Sequence, residues 1–182
     1  MHLQGGDVLF AKPILKRHPA HWFHKDEIVG RTDITPLVHR AVNRSLTRTA
    51  SKVAIVERGK VLMVRAGRGI TQGIWNLPGG FIGYGEHPAE SAQREVLEEL
   101  GIRVKVTKLL GIYAETFQKT GGYMLSFVYL GKRMTKTIRP HPEEIESYEW
   151  FPVREALRIT TNPFARAGLR DYLRAPRHPP RS

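Results

Sequence analysis

Three glutamates, Glu95, Glu98 and Glu99, stand three and four residues apart, and at about 100° per residue that spacing gathers them on one face of a helix. Like charges so placed repel one another, so a sequence that concentrates them calls for a cation between them. Magnesium answers that need: it takes hard carboxylate oxygens, keeps several waters, and bridges one or two carboxylates to substrate phosphates. Mn²⁺ suits the same ligands. The matching chemistry is the handling of phosphates, whose charge such a cation neutralises. The plainer reading of a glutamate run is a solvated acidic helix face.

The helix that carries these residues has legible ends. Pro88 suits the first helical position, where its missing N–H would be unpaired anyway, with His87 at the N-cap, and Gly101 fits the C-terminal stop. Ala89, Ala92, Val96, Leu97 and Leu100 form the expected apolar stripe. The segment Trp75-Asn76-Leu77-Pro78-Gly79-Gly80 leads in, its paired glycines suiting a place where backbone approaches a ligand closely.

Taken together, Gly80, five residues, Glu86, seven residues, then Arg94-Glu95-Val96-Leu97-Glu98-Glu99-Leu100-Gly101-Ile102 resembles the signature of the Nudix (MutT-type) hydrolases at every fixed position. The resemblance covers roughly Ser51 to Leu173 and implies an α/β fold, an α/β/α sandwich with a mixed, strongly curved β-sheet. It further implies a hydrolase of nucleoside diphosphates linked to another moiety, working with Mg²⁺ or Mn²⁺. Glu95, Glu98 and Glu99 match the family's metal-binding glutamates and the Gly80 carbonyl a backbone ligand. Glu86 matches a glutamate that is part structural and part support for the metal. Arg94 matches the arginine that orients Glu95 by a salt bridge. The general base resembles Glu95 in some relatives and a distant loop glutamate in others. Glu144, six residues before Trp150, is the best loop candidate for base and metal ligand, with Glu143 and Glu115 as alternatives. Arg65 and Arg68 are candidate phosphate or base contacts, and Trp75 or Phe81 could stack on a base or serve the core. Arg65 is followed by Ala66, without the arginine pair of the oxidised-guanine triphosphatases. The proline marker for ADP-ribose and the upstream motif for coenzyme A are not found.

At 182 residues, 41% of them hydrophobic and 25% charged, the chain can bury one domain's core and carry an extension. It has no cysteine, which excludes disulfides, thiolate zinc sites and a cysteine nucleophile. No run approaches the ~20 apolar residues of a membrane span, and the N-terminus lacks a signal-peptide pattern, so a cytoplasmic protein without a membrane partner is expected. The net charge of +12 points to a polyanionic substrate or partner. Residues 1–52 hold nine Lys/Arg against four acids, and residues 166–182 five Arg against one acid. Such basic ends would draw phosphate-rich ligands toward the acidic helix. They also keep two alternatives open: a Nudix-fold module that binds nucleic acid or regulates, and an enzyme removing pyrophosphate from RNA 5′ ends.

The remaining elements follow from local pattern. Residues 1–50 read as a basic extension. His18, His21 and His24 fall in an exposed segment whose Trp22 and Phe23 anchor it on the domain or on a partner subunit, a homodimer being compatible with this reading. An amphipathic helix over about 36–48, opened by Thr35-Pro36, carries Arg40, Arg44 and Arg48 on one face. Residues 51–174 read as the hydrolase domain. In it, Val53–Val56 and Val61–Val64 are expected to form strands joined at Glu57–Lys60, with further strands over Val104–Gly111, Met124–Leu130 and Glu149–Pro152. Loops are expected at Glu115–Gly122 and Pro140–Glu144, and helices over Val153–Leu157 and from Asn162-Pro163 to about Leu173. Residues 175–182 read as a basic tail.

Overall fold

The Arg58-Gly59 pair takes left-handed backbone at both residues (φ 49° and 77°), the geometry of a tight hairpin turn whose twist matches its strands. It joins the two strands at the centre of a computed structural model that describes residues 7–10, 21–24, 35, 47–68, 71–117 and 122–175. In chain order the elements are β1 (Asp7–Phe10), β2 (His21–His24), β3 (Thr47–Glu57), β4 (Lys60–Ala66), β5 (Trp75–Asn76), α1 (Pro88–Leu100), β6 (Val104–Phe117), β7 (Gly122–Arg133), β8 (Ile145–Pro152), α2 (Val153–Ile159) and α3 (Pro163–Arg174).

Contacts divide the chain into two units. One comprises Met1–Thr47 with Thr116–Tyr123, the other Arg48–Glu115 with Met124–Ser182. In the first, β1 and β2 pair antiparallel, Asp7 opposite His24 and Phe10 opposite His21. His21 and His24 therefore lie on a strand, whereas three-residue steps gather histidines on a helix. His18, residues 36–46 of the expected basic helix, the packing of Trp22 and Phe23 and residues 176–182 lie outside the described residues. Thr47 and Arg48, expected to end that helix, begin β3.

The second unit is built on a six-stranded sheet in the order β5-β4-β3-β7-β6, with β8 also paired to β4. β4 runs antiparallel to β8 from Lys60↔Pro152 to Ala66↔Ile145, with a bulge at Arg65/Ala66. Its residues Val61 to Val64 are all buried, so both faces of the strand are covered. Alternation sorts them. Val53, Ile55, Leu62, Val64, Tyr129 and Ile145 pack with Ala92, Val96 and Leu100 of α1. On the other face Gly168 of α3 lies so close to Val128 that a Cβ there would overlap the valine. The result is the expected α/β/α sandwich with a mixed sheet.

The structure also departs from the expectations in α1 and in the strand lengths. Leu97 is 47% exposed and Ser91 is buried in its stead, because the buried row runs 92, 96, 100 and Leu97 is turned about 100° off it. The strands are also longer than local pattern implied: β6 reaches Phe117 and so contains Glu115, β7 begins at Gly122, and β8 begins at Ile145. Ladder pairing extends strands through residues whose own preference is weak.

Candidate active site

The loop entering α1 is laced to β3 by backbone. Ser51 N–H donates to Gly80 O and Val53 N–H to Pro78 O, each at 2.9 Å. Gly79, at φ 130°, sits where a Cβ would run into Ser51 O and come within 2.8 Å of Lys52 Cα, so no side chain fits between loop and strand. Held there, its N–H donates to Glu99 Oε2 at 2.9 Å. α1 then starts where its caps dictate: His87 Nδ1 accepts from Ala89 N–H at 3.2 Å, and Gly101, at φ 64°, donates back to Leu97 O.

Arg94 organises the glutamates around it. Its Nε and Nη2 grip Glu86 at 2.8 and 3.0 Å, and Nη1 reaches both Glu95 Oε1 and Glu98 Oε2 at 2.8 Å. Nη2 also donates to Phe81 O at 3.3 Å. Glu86 in turn accepts Gly83 N–H at 2.9 Å, so both its oxygens are engaged in tying the loop to the helix. Arg94's hydrogen bonds, with that of Gly83, hold the Glu86 carboxyl down at about 2.

The neighbouring carboxyls shift the other way. Burial pushes Glu99 up to about 7, with Glu95 and Glu144 adding repulsion, while Gly79 N–H and Lys52 oppose the rise. Burial also raises Glu95, against the pull of Arg94. Lys52, only 7% exposed, is lowered by burial and drawn back by Glu99 and Glu95; its Nζ donates to Leu77 O at 3.5 Å. Nothing in the local sequence marks Lys52 as part of this cluster. It stands among strand hydrophobics, where a lysine ordinarily snorkels out to solvent.

The other expected residues are placed as follows. Glu144 lies in the turn before β8, near enough to repel Glu95 and Glu99, and Arg68 Nη2 donates to its Oε1 at 2.5 Å. Arg68 is thus engaged with Glu144. Arg65 Nε donates to Gly73 O at 3.1 Å and lies 3.5 Å from Glu146, bracing the loop between β4 and β5. Trp75 meets Phe151 edge-on at 5.0 Å, and its carbonyl accepts from Thr160 Oγ1, so the residue is engaged in packing against neighbouring elements. Phe81 is half exposed, with the Arg48 guanidinium 5.7 Å over its ring. The Gly80 carbonyl already accepts Ser51 N–H, leaving one lone pair for a further partner.

Among the described residues, no group of three or more His, Asp or Glu side chains stands ready-made to hold a metal ion. The reason is visible: Arg94 holds Glu95 and Glu98 toward itself, while Gly79 N–H holds Glu99. The donor set nonetheless fits a hard divalent cation. It is all oxygen and partly desolvated, and burial, with repulsion between the carboxyls, raises Glu95 and Glu99.

Comparison with known proteins bears on the fold and the family. The MutT Nudix hydrolase of Burkholderia pseudomallei superposes with a TM-score of 0.61 at 28% identity, over 69% of this chain and 98% of that one. A Nudix hydrolase of Nitrosomonas europaea gives 0.63 at 27%, over 74% and 94%. An ADP-ribose pyrophosphatase of Methanocaldococcus jannaschii is 35% identical over 77 residues, 42% of this chain and 46% of that protein. A MutT-like protein of Streptomyces ambofaciens is 42% identical over 64 residues, 35% and 40%. The chain thus matches less than half the length of these two curated relatives. The NUDIX domain family model matches residues 46–172, and with that span, the signature on α1 and the shared fold, the chain belongs to the Nudix family.

Proposed function

We propose that this chain is a metal-dependent pyrophosphohydrolase that cleaves the diphosphate linkage of a nucleoside diphosphate bound to another moiety, of the nucleoside triphosphate or nucleotide sugar class. The observation that carries the reading is the convergence of Glu95, Glu98 and Glu99 from α1 with Glu144 from a distant turn. There burial and mutual repulsion raise Glu99 to about 7 and raise Glu95. Glu95, Glu98 and Glu99 would hold Mg²⁺ or Mn²⁺, with Glu86 supporting them through Arg94. A bound divalent cation supplies charge neutralisation on the phosphates and lowers the pKa of a bound water.

The chain's own residues supply the rest. Arg94 orients Glu95, and the Gly79 N–H orients Glu99. Glu144, or Glu95 itself, would accept the proton of the attacking water. Arg68 positions Glu144. Phe81 offers an exposed ring for a base, while the packing of Trp75 suits a structural role. The names of two relatives, an ADP-ribose pyrophosphatase and, in Caenorhabditis elegans, an NAD-capped RNA hydrolase, support a diphosphate substrate with a nucleoside on one side.

The test incubates the protein with Mg²⁺ or Mn²⁺ and a panel of nucleotides, nucleotide sugars, dinucleoside polyphosphates and 5′-triphosphate RNA. Hydrolysis of at least one, abolished in Glu98→Gln and Glu99→Gln with unchanged circular dichroism, is expected. Turnover of none, together with salt-sensitive nucleic-acid binding, would overturn the proposal in favour of a binding or regulatory module.

A further inference from the structure

Lys52 is a cation where the surrounding sequence gives it no apparent work. It lies on β3 between Ser51 and Val53, the two residues whose N–H groups bind the loop at Gly80 and Pro78. A Gly79 Cβ would come within 2.8 Å of its Cα, so the backbone that presents Gly79 N–H to Glu99 also abuts Lys52. The side chain is buried, and among the described residues its Nζ makes one long contact, 3.5 Å to Leu77 O, two residues from that same Gly79. Through that backbone it neighbours Glu99, which Gly79 N–H holds at 2.9 Å, and Glu95, whose carboxylate a Cβ on Gly80 would overlap, and both carboxylates act on its charge. A buried ammonium with so little hydrogen bonding is costly unless carboxylates compensate it, and two buried or half-buried carboxylates beside it are costly unless a cation does.

We propose that Lys52 is the internal countercation of this cluster, a positioning residue that holds Glu99 and Glu95 in place in the metal-free chain and sets, by like-charge repulsion, how tightly a divalent cation binds there. The inference rests on the metal-binding reading of the site. A divalent ion entering beside Lys52 meets a carboxylate field already partly neutralised, so affinity is lower and exchange easier than for the same glutamates alone.

The experiment measures Mn²⁺ binding by isothermal titration calorimetry at one pH for the full chain and for Lys52→Met and Lys52→Arg, with thermal midpoints taken without metal. Lys52→Met should bind Mn²⁺ at least about tenfold more tightly while its metal-free midpoint falls; Lys52→Arg, which keeps the charge, should stay within about threefold of the parent. A merely structural lysine would not yield tighter binding on removal. Unchanged or weaker Mn²⁺ binding by folded Lys52→Met would overturn the inference while leaving the proposed function standing. Failure of the parent chain to bind Mn²⁺ at all would overturn both. Should Lys52→Met not fold, lysine-selective ¹⁵N NMR of the parent decides, with the Lys52 ammonium assigned by its loss in Lys52→Arg. Its resonance should shift on saturation with Mg²⁺, and an unmoved resonance would overturn the inference.

Discussion

Adding one methyl group at each of the paired glycines should produce opposite failures. At Gly80 a Cβ would overlap the Glu95 carboxylate, and even the farther oxygen, Oε1, would be 2.8 Å away, whereas ordinary contact begins at 3.4 Å. Glu95 is the far end of a flexible side chain, so it can retreat. Oε1 must move by at least 0.6 Å, the gap between 2.8 and 3.4 Å, and Oε2 by more. That retreat strains the 2.8 Å bond from Arg94 Nη1, a charge-assisted bond at a partly exposed site worth about 1 kcal/mol to folding. A misplacement approaching 1 Å at a reacting centre costs about 10²-fold in rate. Gly80→Ala should therefore lose about 1 kcal/mol of stability and about 10²-fold in kcat/KM. Gly79→Ala meets backbone, at Ser51 O and Lys52 Cα, with φ at 130°, and nothing there can yield cheaply. It should lose about 3 kcal/mol or more, in the range of a core disruption. Urea unfolding at fixed pH without metal, with kcat/KM on whichever diphosphate the substrate panel identifies, separates the two. Gly80→Ala retaining more than a tenth of parental kcat/KM, or proving as unstable as Gly79→Ala, would refute the placement of Glu95 against Gly80.

Glu99 makes the metal-free protein sensitive to pH in a defined direction. Its carboxyl is raised from 4.5 to about 7, so the folded chain binds this proton more tightly than the unfolded chain does. Stability from this group is fully present below 4.5 and is lost as pH rises through about 7. Urea midpoints measured without metal from pH 4.5 to 8 should fall more in the parent than in Glu99→Gln, and parallel curves would contradict the assignment. Phe81 tests the substrate surface: Phe81→Ala exposes no core, so its midpoint should shift by less than about 0.5 kcal/mol while KM rises several-fold if the ring stacks on a base. An unchanged KM would remove Phe81 from the substrate site.

What could be read from order along the chain is what local geometry dictates. Pro88, His87 and Gly101 delimit α1 because capping involves residues within a turn of each other, and Arg94 and Glu95 each lie beside Glu98 because three- and four-residue steps share a helix face. The spaced signature likewise identified the family and, through it, the sandwich. Its apolar stripe was right at Ala92, Val96 and Leu100 and wrong at Leu97, where only the angle at which the helix meets the sheet selects which row is buried.

The rest of the site depends on contacts between distant segments. Gly79 reaches Glu99 across 20 residues, Arg68 reaches Glu144 across 76, and Lys52 joins Glu99 only because β3 carries the loop at 78–80 on its own hydrogen-bonding edge. Residue type and spacing named the chemical groups, since charge and helical period are properties of the nearby chain. Which of those groups is buried, which carboxyl is raised and which cation stands beside it were matters for the folded chain, because desolvation and Coulomb energies depend on neighbours that the strand order brings together.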